Sequence, residues 1–523
     1  MEVFTIKGEN VILMYHAADE AAEVGQQFAI LERPSLREGL VVQVISNDSL
    51  EYPGLQQEII QKILEERAAT TNVILDREQG MGQIRNIKLA LAKIRKKIHN
   101  GHWQRWDGWI PTRSVDISPI GPDTLIQNII PAPTVPLNSF CGFKGHKVQF
   151  NGPNLNMVNV ITGVKGSGKS HIAKHLLLAL ASANVPCIVF DINGEYINLP
   201  NVQALRWGEN FSPNLAEVGY EMLVSVIEAI YPLTTETAKS VFDIRLPQAF
   251  TQRRDFCQKR GQTFTIDIPW LRQQYDWGGG SYVDDAIKRR LQMVEEMGLF
   301  LETTSPPQSQ EEQEEGGEEV VSDLTTAYER AIQGRPIIFN MKGMETKLQT
   351  ALVKAVNQLI EKICEREERN KAGRFPFMFY EEAHFYISEH TILNIITRGR
   401  HIGMASVFIT NSPQKLPDTV FRQLDNLFLL NLTHKDDIRN VSKNSFTDED
   451  TIDSFATRLP ERHALIIGNL TDRYPLIVEI LDLPPGVPPT GRTRSTWDRF
   501  TRTSTAMKEE DLQAINGGEE VPF

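Results

Sequence analysis

The sequence predicts an α/β fold with a smaller β-rich unit ahead of it, and three observations point there. From about residue 151 to 482, short β-branched runs alternate with helical stretches. One such run is joined to one such stretch by a glycine-rich octapeptide, Gly163-Val164-Lys165-Gly166-Ser167-Gly168-Lys169-Ser170. Residues 1–54 instead read as β runs separated only by turns. Strands alternating with helices build a parallel sheet covered on both faces, whereas strands joined by turns build an antiparallel sheet or barrel.

In the first unit the β-like runs are 3–6, 11–14, 28–31 and 40–45, broken by turn residues such as Gly8-Glu9-Asn10. Residues 55–67 and 84–98 are rich in helix formers, which predicts a helical insert at about 55–102. That insert carries Lys93-Ile94-Arg95-Lys96-Lys97, a cluster that suits a solvated helix end. Residues 115–120 and 147–150 return to β character, so the unit is drawn as 1–150.

The second unit opens with an apolar strand at 157–162, the octapeptide, and a helix from 171. The octapeptide fits G-x-x-x-x-G-K-[ST] in the strand-loop-helix context that this phosphate-binding loop requires. Its glycines let successive N–H groups turn inward on phosphate oxygens, and the helix adds the positive end of its dipole. The cradle is drawn as Gly163, Val164, Lys165, Gly166, Ser167, Gly168, Lys169, Ser170 and His171. Lys169 would reach the β- and γ-phosphates of ATP, and the Ser170 hydroxyl would ligate Mg²⁺.

A second strand, 186–191, ends in Asp191 and is followed by Glu195. Residues 208–335 lapse into helix, predicting a helical insertion. Within it, 305–319 holds six glutamates after Pro306-Pro307, too little apolar surface to order itself, which predicts a disordered acidic loop. Alternation resumes with a strand at 336–341, a helix at 346–370, and a strand at 375–380 closed by Glu381-Glu382-Ala383-His384. Further strands are expected at 405–410, 426–432, 464–467 and 476–480, ahead of a tail at 483–523.

Hydrolysis of ATP needs a held metal ion, a carboxylate acting on water, and positive charge at the γ-phosphate. Glu381 and Glu382 supply the carboxylate, Glu381 being the one drawn to the metal. Arg398 and Arg400 stand before the strand at 405–410, and a guanidinium fork suits phosphate. Asn411 ends that strand, where a γ-phosphate sensor could sit. His384, Glu389 and His390 do not form the H-E-x-x-H pattern of a zinc helix, since the histidines are six apart. The cluster Arg253 to Arg260 reads as a solvated helix, with a DNA-lining role as the sharper alternative.

Composition bounds the rest. At 523 residues the chain exceeds one core, so two to four domains or subdomains are expected. No apolar run is long enough for a bilayer and the first residues lack a signal-peptide core, so the expectation is a cytoplasmic protein without a membrane partner. Four dispersed cysteines without a C-x-x-C pair are expected to be reduced thiols. A net charge of −12 argues against coating nucleic acid with the whole surface, but leaves room for a local basic channel.

Taken in order, the segments GVKGSGKS, FDINGEY, FYEEAHF, TRGRHIG, ITNSPQKLP and NLTHKDD resemble the HerA branch of the HerA/FtsK superfamily of hexameric DNA-pumping ATPases. The resemblance covers most of 150–482. It implies a RecA-like P-loop ATPase core, with residues 1–150 standing where the family carries a small barrel of HAS type. It implies a homo-hexameric ring in which Lys169 and Ser170 hold Mg-ATP, Glu382 is the catalytic carboxylate, and Asp191 and Glu195 lie at the active site. Arg400 would act on the neighbouring protomer's nucleotide. Asn411 departs from the family's usual Gln, and Arg398 directly precedes Gly399 where R-x-G-R is commoner. The implied activity is ATP-dependent translocation on double-stranded DNA, working with a separate nuclease or NAD-consuming effector, in anti-phage defence. A ring that only scaffolds an effector, and a secretion or conjugation ATPase, are the alternatives.

Overall fold

The structure is a computed structural model describing residues 1–17, 20–33, 35–49, 87–112, 114–155, 157–302, 324–371, 373–443 and 446–487. The expected helix at 55–67, the acidic loop at 305–319 and the tail from 488 lie outside the described residues.

The N-terminal unit is an antiparallel sheet of β1 (Glu2–Lys7), β2 (Asn10–His16), β3 (Gln27–Glu32), β4 (Gly39–Ser49), β5 (Ile87–His99), β6 (His102–Gln104) and β7 (Val115–Pro119). The strand order is β1-β2-β5-β4-β3-β7, with β6 folded back on β5. It curls around Val11, Leu13, Phe28, Ile30, Val42, Ala92 and their neighbours, making a half-barrel.

Residues 87–99 are a strand, which corrects the helix expected at 84–98. Leu, Ala, Lys and Arg favour a helix locally, but Ala90, Ala92 and Ile94 face the half-barrel core with a period of two. Ladders to β2 on one side and β4 on the other then override propensity. Partners step from Val41 with Lys96 to Val42 with Ile94, leaving Arg95 as the extra residue of a bulge. The basic cluster is consequently no solvated helix end. Lys93 lies 3.1 Å from Asp448, Arg95 donates to Thr451 at 3.0 Å, and Lys96 donates to the Asp472 carbonyl at 2.9 Å. These acceptors all belong to the second unit, so β5 docks the half-barrel onto it.

The second unit is built on one sheet of β8 (Cys141–Phe143), β9 (His146–Val148), β10 (Val158–Thr162), β11 (Cys187–Asp191), β12 (Gln203–Leu205), β13 (Ile337–Asn340), β14 (Phe377–Glu381), β15 (Ala405–Thr410), β16 (Asn426–Leu429), β17 (His463–Gly468) and β18 (Leu476–Ile480). Its order is β12-β13-β11-β14-β15-β10-β16-β17-β18-β8-β9. Pairing is parallel from β12 through β16 and antiparallel from β16 to β9. Every residue of β10, β11 and β15 is buried, as expected for parallel strands covered on both faces. Residues 141–148 join this sheet through β18, not the N-terminal unit, which therefore ends before 141. Three-residue strands carry no periodicity, and only the pairing assigns them.

Helices Lys169–Ser182, Thr346–Arg369 and Glu389–Ile402 flank the sheet. Between β12 and β13 come helices Leu215–Val218, Tyr220–Ile230, Glu236–Lys259, Ile268–Gln273, Ser281–Glu296 and Leu324–Ile332. Their buried side chains continue the core on one face of the sheet, with Trp277 fully buried and stacked on Phe242 at 5.4 Å. Among the described residues no helix is long and apolar enough to cross a membrane. All four cysteines are buried free thiols. This topology places the carboxyl ends of β10, β11, β14 and β15 side by side, where α/β sheets hold ligands.

Candidate nucleotide site

The octapeptide leaves the end of β10 at Gly163, where a Cβ would lie 2.7 Å from Ser167 Oγ and 2.8 Å from Leu430 Cβ. Only glycine lets the chain pass. Val164 N–H donates to Asn431 O at 2.8 Å, anchoring the loop to the segment after β16. The helix Lys169–Ser182 begins after Gly168 with no side-chain cap, so the donors of its first turn are left for a ligand. Lys169 is buried and its ammonium donates to the carbonyls of Gly163 and Val164, both at 3.1 Å. Burial pushes its pKa down, while Glu382, Glu381 and Glu195 oppose that. The buried Ser167 hydroxyl has no hydrogen-bond partner among the described residues.

Facing the loop, β14 delivers both acids. Glu381 is 2% exposed and accepts from Ile192 N–H and the Asn193 amide, each at 3.2 Å. Burial, then Asp191 and Glu195, push its pKa well up. Glu382 takes a left-handed backbone, φ 47°, which turns its carboxylate toward the end of β15. There it accepts from Asn411 N–H at 3.1 Å. Burial raises its pKa too, opposed by that hydrogen bond and by Lys169 and Lys415.

Other expected residues play different parts. Asp191 accepts the N–H groups of Gly194, Glu195 and Tyr196 at 2.8 to 3.0 Å, so it holds the turn after β11 together. One buried oxygen of Glu195 has no partner among the described residues. The His171 imidazole bonds the Leu481 carbonyl at 2.8 Å, sharing it with His175, which leaves only its backbone for phosphate. Asn411 meets Glu382 through its main chain, its side-chain oxygen accepting instead from Ser412. Arg398 and Arg400 lie in the last turns of the helix Glu389–Ile402, which runs up to β15, and their side chains lie outside the described set. The Arg253 to Arg260 cluster is folded on itself, with Arg253 over Trp270 at 5.1 Å and Arg260 over Phe256 at 4.3 Å.

Three site residues escaped the sequence reading. His384 sits 3.1 Å from Thr410 Oγ1 and 3.5 Å from Glu382. Lys415 acts on the charge of both Glu382 and His384. Lys174, 1% exposed, lies over the Tyr196 ring at 5.9 Å, where Glu195 and Asp191 oppose the fall in its pKa caused by burial. A lysine inside the apolar helix HIAKHLLLALA was the available signal for the last.

Residues 144–360 match the family model described as the central domain of the helicase HerA. The DNA double-strand break repair helicase HerA of Sulfurisphaera tokodaii is 24% identical over 160 residues, which make up 28% of this chain and 32% of that protein. The match thus spans about a third of the relative's length. Among solved structures, VirB4 of Thermoanaerobacter pseudethanolicus is 15% identical, covering 69% of this chain and 100% of that one, with a TM-score of 0.47. The bacterial conjugative coupling protein TrwBdeltaN70 is 12% identical, covering 71% and 93%, with a TM-score of 0.44.

Proposed function

Because this chain is HerA-like through the match of its central domain, we propose that it is an ATP-driven translocase on double-stranded DNA. The observation that carries the ATPase part is the meeting of the uncapped, glycine-built loop and Lys169 after β10 with Glu381 and Glu382 at the end of β14, parallel strands on either side of β15. The residues fit a nucleoside triphosphate with magnesium. Among the described residues the buried Ser167 hydroxyl has no partner, the helix Lys169–Ser182 has no side-chain cap, and Lys169 bonds the carbonyls of its own loop. Ser170 and Glu381 would hold Mg²⁺, which when bound offsets the phosphate charge.

Lys169 exchanges the Gly163 and Val164 carbonyls for phosphate oxygens. Glu382 takes a proton from water as the water oxygen bonds the γ-phosphorus, and the bond to the departing ADP breaks. Arg400 of a neighbouring protomer supplies positive charge as the phosphoryl group transfers. We place this chemistry at subunit boundaries of a six-membered ring in the cytoplasm, with a nuclease or NAD-consuming effector as a separate chain. Defence against phage is the setting proposed.

Purified protein is expected to hydrolyse ATP faster when double-stranded DNA is added. Lys169→Ala abolishes nucleotide binding, while Glu382→Gln binds ATP but loses about 10²- to 10⁴-fold in kcat, the usual contribution of a general base. Hydrolysis indifferent to DNA, with and without the effector, would falsify the translocase reading. Effector activation that survives in Lys169→Ala would point instead to a scaffold.

A further inference from the structure

We infer that His384 is a positioning residue for Glu382, one that ties the carboxylate acting on water to the hydroxyl of Thr410. The inference rests on the ATPase reading of the site.

His384 lies in the single turn Ala383–Phe385 that follows β14, two residues beyond Glu382. Its side chain is only 2% exposed, and its ring packs on Phe385 with centroids 4.1 Å apart. One nitrogen, Nδ1, lies 3.1 Å from Thr410 Oγ1 and 3.5 Å from Glu382 Oε2. The Thr410 hydroxyl is fixed in turn by Ser412 N–H at 3.0 Å, and Asn411 N–H holds the same Glu382 oxygen at 3.1 Å. Asn411 thus bonds Glu382 directly, while Thr410 and Ser412 fix the imidazole that lies against the same carboxylate.

That arrangement answers a problem posed by the backbone. Glu382 stands in a left-handed conformation just past its strand, where its N–H still pairs with the Ile409 carbonyl at 2.7 Å, which fixes the main chain and leaves the side chain to be held separately. A carboxylate must be held closely to meet one water molecule, and a single main-chain hydrogen bond leaves it free to swing about that contact. Nδ1, hydrogen-bonded to Thr410 and 3.5 Å from Glu382 Oε2, supplies the second restraint as a close contact rather than as a second hydrogen bond. Charge is not the means, because burial and then Lys415 bring the imidazole pKa down to about 4, so the ring is neutral at physiological pH. The groups facing it are Glu382 from its own turn, Thr410 from β15 and Lys415 from the segment after β15. A histidine paired with a threonine at the end of the neighbouring strand is thus used as a rigid hydrogen-bonding strut.

The test is ATPase kinetics on the full chain with DNA present, together with binding of a fluorescent ATP analogue and thermal melting. His384→Leu and Thr410→Val are each expected to lower kcat about tenfold, the scale of one hydrogen bond, with KM and analogue binding within about twofold of wild type. The double variant should be no slower than the worse single one, since both remove the same strut. His384→Asn, which keeps a polar atom near the place of Nδ1, should recover most of the rate. The loss in His384→Leu should be constant across the neutral pH range, because a neutral strut titrates nowhere in it. Unchanged kcat in His384→Leu overturns the inference while the ATPase reading stands. So do effects that multiply in the double variant, or a kcat loss matched by lost analogue binding and a lowered melting temperature. Absence of hydrolysis by the wild type overturns the ATPase reading itself, and this inference with it.

Discussion

Glu381 and Glu382 are neighbours in sequence and opposites in use. Strand alternation aims Glu381 at Ile192 and Asn193 after β11, and the left-handed turn at the next residue aims Glu382 at Asn411 after β15. In the proposed mechanism Glu382 is the acid that acts on water. Its pKa is raised by burial, and the ionised form is the one that takes a proton. Lowering the pH protonates it, so the acid limb of the pH–rate profile should fall above the ordinary carboxylate range. Lys415 favours the ionised form, so Lys415→Met should move that limb to still higher pH. A limb that stays put in Lys415→Met would show that its charge does not reach Glu382. The acids and Lys169 were legible in the sequence because their motifs span a few residues. His384 was not, because its partner Thr410 is 26 positions away.

Among the elements, β5 joins the two units through its cations. Its Lys93 is 4% exposed and meets Asp448 at 3.1 Å, while Arg95 lies 3.9 Å from the same carboxylate. Asp448 also caps the helix Glu449–Ala456, accepting from Thr451 N–H at 3.1 Å. Asp448→Ala removes both roles and leaves two buried cations short of a partner. The expected cost is about 2 to 4 kcal/mol in urea unfolding, combining a lost cap with a broken buried pair. Asp450, 77% exposed at the edge of the same cluster, should cost far less when changed to Ala. Equal effects would mean that the seam acts by general charge. Composition alone pointed to a helix here, because the residues that favour helices also fit a strand once both edges are paired.

Over the whole molecule, the carboxyl ends of the parallel strands lie side by side, and the helix carrying Arg400 leads into β15 at the other end of that strand's run. Action across a subunit boundary gives a sharp expectation. Lys169→Ala and Arg400→Ala assemblies should each be inactive, with Arg400→Ala still binding nucleotide. Rings assembled from an equal mixture should regain hydrolysis at about a quarter of their interfaces, where an intact loop meets an intact arginine. An arginine acting within its own chain would yield no recovery on mixing.

The strands β10, β11 and β13 to β18, the phosphate loop and the acid pair could be read from the residues alone, since each is written in the period or spacing of one short stretch. It took the folded chain to establish that 87–99 is a strand, that 141–148 belongs to the large sheet, that Asp191 organises a turn, and that His384 lies against Glu382. The physical reason is common to all four. Each outcome depends on a hydrogen-bond partner outside the stretch itself, and local propensity carries no information about which distant chain segment will supply it.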